Sequence, residues 1–142
     1  MLKKICIAYE GSDNSNRAFD FAVDMCMLCP SAALEVTVLS VVVPPEQSDV
    51  IVNVDQIIAS MRSRHEKMLS ALVQKAKDRG VTIHTEIMTG DAAEEILKYV
   101  RDKQFDLVIV GQKGKSLIDQ FVLGSVSRRV VRYAVCAVTV VK

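Results

Sequence analysis

The feature that most constrains this chain is an unbroken alternation of strand-like and helix-like patterns from one end to the other. Two of the strand-like runs, Ile5-Cys6-Ile7-Ala8 and Leu107-Val108-Ile109-Val110, are apolar without a break. A strand with water on one side alternates apolar and polar residues, so a continuous apolar run needs cover on both faces. Such runs, separated by amphipathic helices, specify an α/β fold: a doubly wound parallel sheet with helices on both faces.

Residues 3–9 form the first expected strand. A turn rich in capping residues, Glu10 to Ser15, leads into a helix with Ala18, Phe19, Ala22, Val23 and Cys26 on one face, and Pro30 ends it. Residues 34–42, dense in β-branched side chains, form the second strand. A long helix begins near Val54. Its apolar face is Val54, Ile57, Ile58, Met61, Met68, Leu69, Leu72 and Ala76, and Gly80 stops it. Residues 81–88 alternate in polarity, which predicts a half-exposed edge strand. Asp91 caps the next helix, whose inward residues are Ile96, Leu97 and Val100. Residues 106–110 form a buried strand ended by Gly111. Ser125 opens the last helix, with Val126, Val130 and Val131 inward and Arg128, Arg129 and Arg132 outward. Residues 136–141 make the fifth strand.

The 142 residues suit one domain spanning 1–142, and half of them are apolar, enough for a core without disulfides or metal. Eighteen Lys and Arg stand against seventeen Asp and Glu. That balance argues against binding nucleic acid through bulk positive charge. The run Ile5–Tyr9 is too short for a leader or a membrane span, and no other stretch reaches membrane length without a charge, so the cytoplasm is the expected compartment. Cys6 and Cys136 read as core residues. Cys26 and Cys29 form a C-x-x-C pair at the carboxyl end of a helix, where the dipole disfavours a thiolate, and no second Cys or His pair completes a zinc site. His65 and His84 are isolated and read as structural.

In an open α/β sheet, ligands sit beyond the carboxyl ends of the strands, where the strand order reverses. The strand end at Val110 is followed by Gly111-Gln112-Lys113-Gly114, nine residues, and then Gly124-Ser125. Gly111 permits close backbone approach and Gly114 a left-handed turn. Gly124 and Ser125 place free amides at a helix N-terminus, where an anion is favoured. Ser125 and Ser127 add hydroxyl donors, and Lys113 and Lys115 offset phosphate charge.

This spacing resembles the G-x2-G-x9-G-(S/T) pattern of the universal stress protein family at Gly111, Gly114, Gly124 and Ser125. The opening KKICIAYEGSDNSNRAF, the stretch IMTGDAAEEIL and the ending VLGSVSRRVVRYAVCAVTVVK resemble that family as well, so the likeness runs through the whole chain. It implies a five-stranded parallel sheet of order 3-2-1-4-5 and a site for ATP or another adenine nucleotide; hydrolysis of ATP there would also need Mg2+. The resemblance maps the adenosine onto Ala8, Tyr9, Glu10 and Val41. It places Val110 along the adenine or ribose, and Gly111, Gly114, Gly124, Ser125, Val126 and Ser127 around ribose and phosphates. Three positions depart from the family's usual residues: Glu10 stands for Asp, Gln112 for a small polar residue, and Ala137 for Pro.

The expected function is therefore a nucleotide-binding regulatory protein with no efficient catalytic activity. Two alternatives are slow ATP hydrolysis at the same site and a dimeric interaction module of the branch that does not bind ATP. No G-x4-G-K-(S/T) motif is present to support fast turnover. A receiver domain needs a phosphorylatable Asp at the end of strand three, where Met88-Thr89-Gly90 stands. A flavodoxin would place phosphate in the Glu10–Ser15 loop, against two acids. The last strand is apolar and uncharged in its interior, which predicts a homodimer joined through it. The sequence names no protein partner.

Overall fold

The two uninterrupted apolar runs fold into two adjacent inner strands of a five-stranded parallel sheet. The computed structural model describes residues 1–30, 33–46, 53–113 and 123–142. Its elements are β1 (Lys4–Ala8), α1 (Asp13–Leu28), β2 (Glu35–Val42), α2 (Val54–Asp78), β3 (His84–Thr89), α3 (Ala92–Asp102), β4 (Leu107–Gly111), α4 (Ser125–Tyr133) and β5 (Ala137–Val141). The strand order is β3-β2-β1-β4-β5, as the resemblance implies. Cys6 of β1 stands level with Thr37 of β2 on one side and Val108 of β4 on the other.

Alternation along the strands divides the interior in two. Ile5, Ile7, Val36, Val38 and Ile109 face α1 and α2, where Phe19, Ala22, Val23, Leu69, Leu72 and Ala76 close the first core. Cys6, Ala8, Leu39, Val108 and Val110 face α3 and α4, and meet Ile96, Val100 and Val130 in the second. β3 lies at one edge with His84, Thr85 and Glu86 exposed, in keeping with its alternating sequence.

The caps explain where the helices stop and start. Ser12 accepts the Ser15 amide at 3.1 Å and Asp91 accepts the Glu94 amide at 3.0 Å. At the end of α2, Gly80 has φ +76°, its amide bonds Lys77, and the Val81 amide bonds Ala76. That paired pattern closes the helix around a left-handed residue. The end of α3 has the same two bonds, Gln104 to Arg101 and Phe105 to Val100, but the left-handed position is held by Gln104, at φ +55°.

Three expectations change. Val131 is 45% exposed rather than inward. It sits about 100° around α4 from Val130, which takes the core position, while Ser127 is buried on the inward side. Cys136 is half-buried, because it precedes β5 at the sheet margin instead of lying in a central strand. On α2 only Leu69, Leu72 and Ala76 are buried, while Val54 is exposed and Ile57, Ile58 and Met61 are half-buried. A helix of 25 residues is about 37 Å long, so its first turns run beyond strands of this length.

Candidate functional site

Strand order reverses between β1 and β4, and their carboxyl ends diverge over a cleft of about 290 Å³. Ala8, Tyr9, Glu10, Val41, Val110, Gly111, Gly124, Ser125, Val126 and Ser127 all line it. The structure thus brings together the residues singled out in the sequence, except Gly114, which lies outside the described residues together with Lys115. Leu39, Ala92, Ile96 and Lys113 line it too. Leu39 shares a face with Val41 by strand alternation. Ala92 and Ile96 stand four apart at the start of α3, hence on one helix face. Both signals were present in the sequence.

The floor is apolar. Ala8, Leu39, Ile96 and Val110 are buried in the second core, and Val41 and Val126 pack against it. Tyr9 is different, because its ring belongs to the first core, on the other side of the sheet. Its hydroxyl donates to Asn16 Oδ1 at 2.6 Å. Burial, and then the Glu10 and Asp20 carboxylates, push its phenol above the usual range. Tyr9 therefore offers the cleft main chain rather than ring. That main chain is held from both sides: its amide donates to the Leu39 carbonyl and its carbonyl accepts from Ser40 Oγ at 2.8 Å. Ser40 Oγ also lies 2.7 Å from His65 Nδ1. With the serine's one hydrogen on Tyr9, the imidazole supplies the proton of that second bond.

The glycines act mainly on the protein itself. A Cβ on Gly111 would stand 2.8 Å from both the carbonyl carbon and the Cβ of Asn14, so the backbone that approaches Gly111 is the first turn of α1. Gly124 has φ −59° and does not need a glycine's conformational freedom. Its amide is not free, as the sequence suggested, but donates to the Gln112 carbonyl at 2.8 Å. Ser127, also expected to donate to a ligand, lies with Oγ 2.8 Å from the Gln112 carbonyl and 3.0 Å from that of Gly124. Its single hydrogen is used inside the protein. What remains open to a ligand is the start of α4, which has no side-chain cap, and the exposed Ser125. Uncapped first-turn amides and the helix dipole favour an anion there.

At the β1 end the charge has the opposite sign. The Glu10 carboxylate accepts from Ser12 Oγ, and Ser12 in turn caps α1. That helix start is already satisfied and carries Asp13 in its first turn. A phosphate is therefore disfavoured there, in agreement with the argument against a flavodoxin. Across the cleft, Arg129 of α4 binds Asp91 at 2.9 Å and reaches Glu94 at 3.7 Å, tying α4 to the first turn of α3. The Glu94 amide, with Arg129 beside it, holds the Asp91 carboxyl below its usual range.

Elsewhere the functional signals stay weak. All four cysteines are free thiols. Cys29 is the exposed C-cap of α1 and Cys26 is half-buried. Burial, and then the neighbouring Cys29, push the Cys26 thiol upward, which disfavours the thiolate that redox or metal chemistry needs. Among the described residues no group of three His, Cys, Asp or Glu is placed to hold a metal ion, and no helix is long and apolar enough to cross a membrane.

The chain matches the universal stress protein family over residues 1–142. It is 32% identical to universal stress protein MJ0531 of Methanocaldococcus jannaschii, over 100% of this chain and 83% of that protein. It is also 32% identical to universal stress protein YxiE of Bacillus subtilis, over 100% of both. Its fold matches that of universal stress protein UspA from Lactobacillus plantarum with a TM-score of 0.87, at 21% identity over 99% of this chain and 97% of that one. Two similar structures were solved with nucleotides. An Arabidopsis thaliana family protein with AMP bound matches with a TM-score of 0.73, at 22% identity over 99% and 91% of the two chains. A universal stress protein from Archaeoglobus fulgidus in complex with dAMP matches with a TM-score of 0.68, at 18% identity over 100% and 98%. This chain belongs to the universal stress protein family.

Proposed function

We propose that this protein is an adenine-nucleotide-binding regulatory protein, with ATP as the preferred ligand, acting in the cytoplasm as a homodimer. The observation that carries the reading is the polarity of the cleft. It has an apolar floor for a base, a carboxylate at the β1 end suited to ribose hydroxyls, and the uncapped start of α4 for phosphate. The AMP and dAMP complexes of the similar proteins support the same class of ligand. Mg2+ would enter with the phosphates, since no cluster of protein ligands among the described residues offers it a separate seat.

The reading is of binding, not turnover. Hydrolysis needs a group that positions water in line with the terminal phosphate. Glu10, the carboxylate of the cleft, is at the ribose end and engaged with Ser12, and Asp13 is exposed on α1. Mass spectrometry of the ligand released by heat from the purified protein, with calorimetric titration of ATP, AMP, cyclic AMP and adenosine, tests the assignment. Finding no adenine compound bound in either measurement would place the protein in the branch that does not bind ATP. A single-turnover assay with excess protein tests the second point, and hydrolysis at a working enzyme's rate would reverse it.

A further inference from the structure

We propose that Lys113 makes this cleft select nucleotides by the charge of the phosphate tail, favouring ATP over AMP and AMP over adenosine. The inference rests on the adenine-nucleotide reading above and assigns a specificity role within that site. Lys113 is 7% exposed and lines the cleft. Among the described residues, no hydrogen bond or ion pair engages its side chain, although Asp and Glu elsewhere in this chain readily pair with lysine and arginine. A lysine that no carboxylate of the described residues engages is available to an anionic ligand in the cleft.

Its position says which partner is wanted. The Lys113 Cα lies 3.3 Å from the place a Cβ on Gly124 would take, so residue 113 packs directly against the N-cap of α4. That helix has nine residues and no side-chain cap. Residue 113 and the open amides of that first turn therefore lie at one end of the cleft. Amides and the Ser125 hydroxyl are neutral donors and respond weakly to the number of phosphates. A formal charge responds strongly. Glu10, across the cleft, repels the phosphate tail and directs it toward Lys113.

The test compares wild type with Lys113→Met, which keeps length without charge, and Lys113→Arg, which keeps charge. Each full-length protein is freed of copurified nucleotide. Calorimetric titration then uses ATP, AMP, cyclic AMP, adenosine and inorganic tripolyphosphate. In Lys113→Met, ATP affinity should fall about 10- to 100-fold, the range for losing a hydrogen bond to a charged group, and adenosine affinity should fall least. Lys113→Arg should retain most of the preference. An ATP-to-adenosine ratio equal in wild type and Lys113→Met overturns the proposal, as does an equal loss of all ligands. If wild type binds tripolyphosphate through Lys113 but no adenine compound, the charge role stands and the adenine reading fails. If it binds neither, both fail.

Discussion

The Gly124 amide donates to the Gln112 carbonyl at 2.8 Å, and through that bond the end of β4 is fastened to the start of α4. Ser127 Oγ points to the same carbonyl from one turn further on. The two ends of the glycine-spaced segment are thereby locked together before any ligand arrives. Ser127→Ala removes one of the two bonds from a site that is 4% exposed, and the Gln112 carbonyl keeps the other. It should lower unfolding stability by about 1 kcal/mol in urea, and weaken nucleotide binding as the start of α4 loosens. Unchanged stability would show that the hydroxyl is not a latch.

Gly111 makes a stronger prediction. Its hydrogen faces Asn14, and an added Cβ at 2.8 Å from backbone and side-chain carbons requires α1 to move. Gly111→Ala should cost about 1–3 kcal/mol, the range for overpacking a close contact, as measured by chemical denaturation. If only nucleotide affinity fell and stability held, the glycine would be serving the ligand rather than the α1 contact.

These two glycines show how far the sequence could be read. The strand order, both cores and the set of cleft residues followed from apolar periodicity, the glycine spacing and the resemblance. What each glycine touches did not. Spacing says that a side chain is unwelcome at 111 and 124, but not that Asn14 of α1 excludes it at 111 while at 124 the backbone of residues 112 and 113 leaves it only a tight fit. The inward placing of Val131 failed for a related reason. The pattern V-x-x-x-V-V leaves two adjacent valines to share one core position, and packing gives it to Val130.

The end of α3 holds unneeded strain. Gln104 takes a left-handed conformation, at φ +55°, that Gly80 occupies without penalty at the end of α2. A residue with a Cβ is destabilised there by about 1–2 kcal/mol, partly offset by the greater chain entropy of glycine when unfolded. Gln104→Gly should therefore raise stability by about 0.5–1 kcal/mol. A lower melting temperature in this variant would mean that the Gln104 side chain contributes more than its backbone costs.

Two carboxylates are held below their usual range in the folded protein. The amides of Lys4 and Lys3 hold the Asp106 carboxyl below its usual range, and Asp91 is held down by the Glu94 amide and Arg129. A carboxyl depressed in the folded state binds its proton more readily when unfolded. Its contribution is complete above the unfolded value, about 4, and is lost as pH falls through the lower folded value. Stability should thus change little with pH above about 5 on their account and decline below about 4. Asp106→Asn should be less stable than wild type at pH 7 and should lose less on going to pH 3. Equal acid sensitivity of the two proteins in urea titrations would remove Asp106 from this role.

The edge strand β5 carries the prediction about assembly. It pairs with β4 on one side, and among the described residues no strand pairs on the other. Its five residues, Ala137–Val141, include no charge, although charged side chains are a common protection for a sheet edge. Val138 and Val140 are half-buried against the second core and Val141 against the first, so both faces of the strand are packed on the protein's own interior. A second copy approaching about a two-fold axis would lay β5 antiparallel to β5, with Thr139, the middle residue, opposite its own equivalent. Thr139→Lys would then set two lysines directly opposite each other, with Cβ atoms about 5 Å apart, a destabilising like-charge cross-strand pair. Multi-angle light scattering at micromolar concentration should give a dimer for wild type and a monomer for the variant. A monomeric wild type refutes the assembly outright. A variant that stays dimeric moves the interface away from the middle of β5.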